Sequence, residues 1–373
     1  MNVLLAPFRW TALLFTDGIA AFRGNHPWRW TIGICVGVVF GALLMTLHRP
    51  PVVSEERGFR GVGMNYIWSP RQVVKDADNY RLVPALPPVK PSGIPSSKAY
   101  KNIQVLQNVD SNEFLRLMGT LPLWIAPSTG CAFCHSTVNM ADDALYTKTV
   151  ARRMIQMTQD INANWKSHVG NLGVTCNTCH RGHAVPEYVW FTKQGQPSGF
   201  AETNTGYSGV SKAAANTSLQ ADPFTNLLLQ ADTVRITGKT ALPAGNRQSI
   251  QQTDQTYALM AHFAHSLGVG CTYCHNSRDF SSWDQSTPAR LTAWYGLEMV
   301  RNLNTQWMVP LTGTFPRAAR GPTNDVAKIN CATCHQGAYK PLYGVNTLTA
   351  YPELVGANTD RRASVAAQPG AIP

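Results

Sequence analysis

Apolar positions recur at helical spacing along four stretches of this chain, and one further stretch is apolar without interruption. The uninterrupted one, Thr31 to Leu47, holds no charged residue and is flanked by Trp28 and Trp30 on one side and His48 and Arg49 on the other. That is about the minimum length of a membrane span. Arg9, Arg23 and Arg29 precede it, so the positive-inside rule puts the N-terminus in the cytoplasm and everything after residue 50 across the membrane. No small-x-small cleavage site follows, so residues 30–48 read as a retained transmembrane anchor and not as a signal peptide. Gly33, Gly37 and Gly41 recur every four residues and clear one face for another helix. Cys35 reads as a small buried hydrophobe. Residues 10 to 22 form a second apolar stretch, broken by Asp17 and Gly18, so 1–29 is expected to be cytoplasmic or interfacial.

The four periodic stretches predict helices. The first starts near Asp110, with Glu113 placed for a capping box, and runs to Met118 before Gly119 stops it. The second, from about Asp142, sets Val150, Met154, Met157, Ile161, Trp165 and His168 on one stripe. The third runs from near Asp254 through Met260 to Gly268; the fourth takes Thr287 as cap and Pro288 in its first turn, and stops before Pro310. Between them the chain is rich in Pro, Gly, Ser and Asn. Residues 49–110 read as an extended segment and 191–250 as an irregular linker with a short apolar piece at Phe224 to Leu229. Residues 341–373 read as a surface tail. The fold class expected is mainly α with long irregular loops.

Composition adds the chemistry. Eight of the nine cysteines fall in four Cys-x-x-Cys-His motifs, pairing Cys131 and Cys134 with His135, Cys176 and Cys179 with His180, Cys271 and Cys274 with His275, and Cys331 and Cys334 with His335. Two thiols at this spacing add to the two vinyl groups of one haem, and the adjacent histidine becomes the proximal iron ligand. Zinc is the rival for paired cysteines, but a histidine after every second cysteine argues against it. Four covalently bound c-type haems, each with its iron, are expected. The formal charge of +11 does not signal nucleic acid, because eight propionates offset it and no long basic run is present.

The motifs alternate. The first and third share Gly-Cys-x-aromatic-Cys-His, with Gly130, Phe133, Gly270 and Tyr273; the second and fourth share Cys-x-Thr-Cys-His-x-Gly, with Thr178, Gly182, Thr333 and Gly337. Two pseudo-symmetric di-haem halves, 111–190 and 251–340, follow.

Four irons require four distal ligands. Met118 and Met260 precede the first and third motifs by similar distances and are assigned to those haems, and Met154 is assigned to the second. Met154 and His168 lie fourteen residues apart, about 21 Å on a continuous helix, and so serve different irons. Aligning Trp165 with Trp307 puts Gly296 where Met154 stands, leaving the fourth haem without a methionine of its own; His168 supplies that ligand from the other half. Met157, Met299 and Met308 read as core fillers. His262 and His265 compete with Met260 for the third haem. Met/His ligation raises haem potential and His/His ligation leaves it lower, and with every iron six-coordinate the chain is expected to be an electron carrier without substrate chemistry.

These residues resemble the tetrahaem cytochrome c subunit of purple-bacterial photosynthetic reaction centres. The resemblance rests on Arg60-Gly61-Val62-Gly63-Met64, Ala99 to Leu106, Phe114 to Met118, Leu267 to Gly270, the four motifs and the distal set. It implies a periplasmic haem domain at the bacterial inner, photosynthetic membrane, seated on the reaction-centre L and M subunits. A soluble periplasmic donor, a small cytochrome c or a high-potential iron-sulfur protein, would supply electrons for the photo-oxidised bacteriochlorophyll pair, with the haem at Cys271 nearest that pair. The alternative is a membrane-anchored tetrahaem quinol dehydrogenase, disfavoured by the methionines and the long linker.

Overall fold

A computed structural model describes residues 27–48, 52–58, 61, 63–71, 83–192, 212–217, 219–236 and 250–356. The stretch 10–22, much of the expected linker and the end of the tail lie outside these.

Helix α1, Pro27–His48, has 22 residues. Ile34, Val38 and Met45 are 63%, 66% and 69% exposed, so its apolar side chains are uncovered. Its side chains are described for residues 30–45. Among the described residues no helix is long and apolar enough to cross a membrane. At 1.5 Å per residue, the described side chains cover about 24 Å and the whole backbone helix about 33 Å.

The body from Glu55 to Tyr66 and from Val74 onward is mainly helical with long loops. Among the described residues its α-helices of five residues or more are α2 (Ser111–Ile125), α3 (Tyr146–Asn164), α4 (Cys176–His180), α5 (Ile250–Leu267), α6 (Pro288–Asn302) and α7 (Cys331–His335). The two strands β1 (Val53–Arg57) and β2 (Met64–Trp68) form the one sheet among the described residues.

Helix α2 runs past its expected stop. The Asp110 side chain caps it by accepting from the Asn112 amide at 2.9 Å, while Glu113 pairs with Arg116 instead of closing a capping box. Gly119 and Pro122 are both inside the helix. Burial overrides them: Leu117, Thr120 and Trp124 are almost fully covered, and the Thr120 hydroxyl bonds the Arg116 carbonyl and the Tyr351 hydroxyl. The predicted cap of α6 holds, with Thr287 before Pro288, but the Thr287 hydroxyl donates to the Tyr273 carbonyl and not to its own helix.

Helix α3 starts at Tyr146, later than expected, and is not continuous to His168. Trp165 breaks it at φ −113°, ψ 29°, and His168 sits on a separate turn, Lys166–Val169. The straight-helix separation between Met154 and His168 therefore does not apply.

Two segments expected at the surface are core. Phe224, Leu227 and Leu228, on a π-helical turn (Thr225–Leu229), are buried with Trp190, Leu259, Leu297 and Val300. After Pro341, Leu342, Tyr351 and Leu354 are buried; Tyr351 stands edge-on to Trp124, and its hydroxyl accepts from the Leu86 amide.

Candidate functional site

Each Cys-x-x-Cys-His motif forms one tight helical turn, which sets its two sulfurs on one side of the backbone. The first and third are 3₁₀ turns, Gly130–Phe133 and Cys271–Tyr273; the second and fourth are α4 and α7. Both α4 and α7 open on a capping box, formed by Thr175 with Thr178 and by Asn330 with Thr333. Both end on a left-handed residue, Arg181 and Gln336, each at φ 48°.

Every motif histidine is held in the same way. The ring Nδ1 of His135 bonds the Met140 carbonyl and that of His275 the Phe280 carbonyl, both at 2.9 Å and five residues on. His180 uses His183 at 2.8 Å and His335 uses Ala338 at 2.9 Å, both three residues on. A carbonyl only accepts, so Nδ1 carries the proton and Nε2 keeps its lone pair for a metal. Burial holds His180 and His275 below the ordinary imidazole pKa, and burial with the neighbouring His168 brings His335 down to about 4. Neutral imidazole is the form that ligates.

The alternation of motifs recurs in the supporting contacts. The Thr147 hydroxyl donates to the Phe133 carbonyl as Thr287 donates to Tyr273. The Gly182 amide donates to the Trp124 carbonyl and the Gly337 amide to the Ser266 carbonyl, both at 2.7 Å. Trp124 lies six residues after Met118 and Ser266 six after Met260, so the two methionines hold equivalent helix positions. Asn162 and Asn304, each three residues before an equivalent tryptophan, both bond the amide and the carbonyl two residues before a motif, at Val174 and Ile329.

His168 and His335 come together, their ring centroids 6.0 Å apart. With both Nδ1 atoms bonded to carbonyls, each ring would keep its Nε2 lone pair free to hold a metal. The Nδ1 of His168 bonds the Thr292 carbonyl on α6 at 2.9 Å, the same restraint the motif histidines have. Met154 lies on α3, which packs along α4; Ile155 and Cys176 share one cluster, with Met118 against it. Met260 lies against the cluster of Leu259 and Leu297. Met157, Met299 and Met308 pack with Trp165 and Trp307, as expected of core fillers. His262 differs from the ligand pattern: its Nε2 faces the Ser266 hydroxyl at 3.2 Å, and the ring lies edge-on to Phe224.

Residues 48–355 match the family described as photosynthetic reaction centre cytochrome C subunit. The chain belongs to that family. It is 47% identical over 324 residues to the photosynthetic reaction center cytochrome c subunit of Rubrivivax gelatinosus, covering 86% of this chain and 88% of that protein. The subunit of the same name from Thermochromatium tepidum is 43% identical over 85% of the chain and 78% of its own length. The one from Roseobacter denitrificans is 36% identical over 87% and 91%. The subunit is thus an electron carrier of the photosynthetic membrane, and as a cytochrome c it takes c-type haem.

The residues present fit that group. Besides the five imidazoles with Nδ1 restrained, the indole nitrogens of Trp165 and Trp307 are buried donors at equivalent positions with no hydrogen-bond acceptor on the protein. A haem propionate is an acceptor of the kind they lack. Among the described residues no three His, Cys, Asp or Glu side chains gather as a metal-ion cage, so a zinc set is not assembled there.

The cysteines divide. Cys131 and Cys271 are exposed; burial raises the Cys176 and Cys331 thiols to about 12 and Cys274 to about 11, and also raises Cys134. The sulfurs of Cys179 and Cys334 face each other within reach of a disulfide, their Cα atoms 4.5 Å apart. A sulfur in a disulfide cannot also be a thioether, so the two linkages exclude each other at this pair. No local pattern marks the contact, since it joins two turns 155 residues apart.

Proposed function

We propose that the subunit carries four c-type haems and relays electrons from a soluble periplasmic donor to the photo-oxidised special pair. Haem bound in this way supplies a one-electron couple, tuned by its axial ligands. Attachment falls to Cys131 and Cys134, Cys176 and Cys179, Cys271 and Cys274, and Cys331 and Cys334, with His135, His180, His275 and His335 as proximal ligands. Met118, Met154 and Met260 are the distal ligands of the first three, and His168 that of the fourth. The two di-haem halves are 111–190 and 251–340. The observation that carries this reading is the common restraint of all four motif histidines and of His168 through Nδ1.

The chain's own residues set the energetics. Three thioether ligands favour the reduced state and raise the potential, while two imidazoles favour the oxidised state. The backbone carbonyl bonded to each Nδ1 holds the proton there and leaves Nε2 free to ligate. The charge-free run from Thr31 to Leu47 and the 22-residue α1 support a single-span anchor, with the N-terminus cytoplasmic and the haem body periplasmic, against the L and M subunits. The donor is a small cytochrome c or a high-potential iron-sulfur protein.

The test is a redox titration on native membranes, following the haem α-bands while a flash oxidises the primary donor. Rapid haem oxidation after the flash, in four components of which one or more titrate low, is expected. Four low-potential haems that ignore the flash would replace this reading with a quinol-linked one.

A further inference from the structure

We propose that Gly296 is a positioning residue: its missing side chain is the slot that seats His168 against the fourth motif. The inference rests on the reading of His168 as a ligand in that site. A Cβ at Gly296 would lie 2.5 Å from Cε1 of His168, 2.7 Å from Nδ1 and 3.0 Å from Nε2, so the ring occupies the space that any side chain would need. Moving the ring aside would break its Nδ1 bond to the Thr292 carbonyl, one turn earlier on the same helix, and draw it away from the His335 ring 6.0 Å off.

Nothing in the backbone asks for glycine here. Gly296 is buried in the interior of α6 and is absent from the residues with positive φ, and alanine is the better helix former. The requirement is for space alone. Counted back from the tryptophans, Met154 stands eleven residues before Trp165 as Gly296 stands eleven before Trp307. One position in the repeat thus has two uses. A methionine there gives a site its distal ligand from its own half, and a glycine admits a histidine from the other half. Exchange at this one position decides both the ligand type and which half supplies it, and with them the difference in potential between the second and fourth haems.

The experiment uses the full subunit in its membrane complex, with Gly296→Ala, Gly296→Met and His168→Ala, and reads the ligand field of each ferric haem by electron paramagnetic resonance alongside the redox titration. Gly296→Ala is expected to weaken or abolish the bis-histidine signal of one haem and leave three unchanged. Gly296→Met is expected to replace that signal with a fourth resonance of the histidine–methionine type and to raise that haem's midpoint. If His168→Ala alters one haem while Gly296→Ala leaves spectrum and midpoint as in the parent, the slot is wrong and the ligand reading stands. If His168→Ala alters none, the ligand reading itself fails. Haem content and the three unaffected signals report whether each variant has folded.

Discussion

The Arg181 guanidinium donates to the Gln336 side-chain oxygen at 2.6 Å, and the two residues occupy the same place, directly after the second and fourth motifs. Arg181 is 5% exposed and also donates to the Cys334 carbonyl at 2.9 Å. With haem at the second and fourth motifs as proposed, a buried cation beside both would favour the reduced, less positive state of each. Arg181→Gln, which makes the pair alike, is expected to lower the midpoints of the second and fourth haems by tens of millivolts, at about 59 mV per tenfold change for a one-electron couple. Arg181→Lys keeps the charge and is expected to recover most of the loss. Potentiometry with resolved α-bands checks both.

Asn162 and Asn304 hold the backbone that leads into α4 and α7. Asn162 is 2% exposed and Asn304 is fully buried; Asn162 also donates to the Leu354 carbonyl at 2.9 Å. Alanine at either site would strand an amide and a carbonyl in the core, at an expected loss on the order of 2–3 kcal/mol. Denaturant titration should show this loss in each variant. The haem spectrum should be disturbed at the second motif in Asn162→Ala and at the fourth in Asn304→Ala, and not the reverse.

Much of this symmetry was legible in the sequence, because residues inside the motifs recur in alternation and Met118 and Met260 precede the first and third motifs by thirteen and eleven residues, although the spacing from Trp165 and Trp307 to the next motif differs. Arg181, Gln336, Asn162 and Asn304 sit at matching offsets too, and comparing the two halves position by position finds them. Other features left no periodic trace. Phe224 to Leu228 is too short to show a helical repeat, and the Tyr351 to Leu354 piece looks like tail until Trp124 and Thr120 are seen to cover it. The run of α2 through Gly119 and Pro122 went against local propensity, which the burial of Leu117 and Trp124 outweighs. The break at Trp165 was hidden by a stripe that continues to His168 although the helix does not.

The cap of α2 predicts an acid response. Desolvation pushes the Asp110 carboxyl up, but hydrogen bonds from Ser92, Asn112 and Gly93 together outweigh it and bring the pKa to about 2. A carboxylate with a native pKa below its unfolded value of 3.8 gives its full contribution above that value and loses it as pH falls toward 2. Asp110→Asn keeps a capping side chain without the charge. The variant should melt below the parent at neutral pH, and the gap should close between about pH 4 and pH 2. Calorimetry across that range checks it, and a gap that stays constant would remove Asp110 from the account.

The contact between Cys179 and Cys334 sets a condition on maturation. Helices α4 and α7 bring their second cysteines to a Cα separation of 4.5 Å, inside the range a disulfide needs. The periplasm, where haem attachment would take place, is oxidising. Oxidation of this pair therefore competes with thioether formation at the second and fourth motifs and leaves the first and third untouched. Digests of the mature subunit are expected to give Cys179 and Cys334 in two separate haem peptides. Under maturation without added reductant, chains with haem at only the first and third motifs should accumulate. Cys334→Ser should then restore attachment at the second motif, because Cys179 has lost its competing partner. A disulfide-linked peptide holding both cysteines in the mature, fully active subunit would show that the two sulfurs are structural and that neither motif attaches its haem through both cysteines.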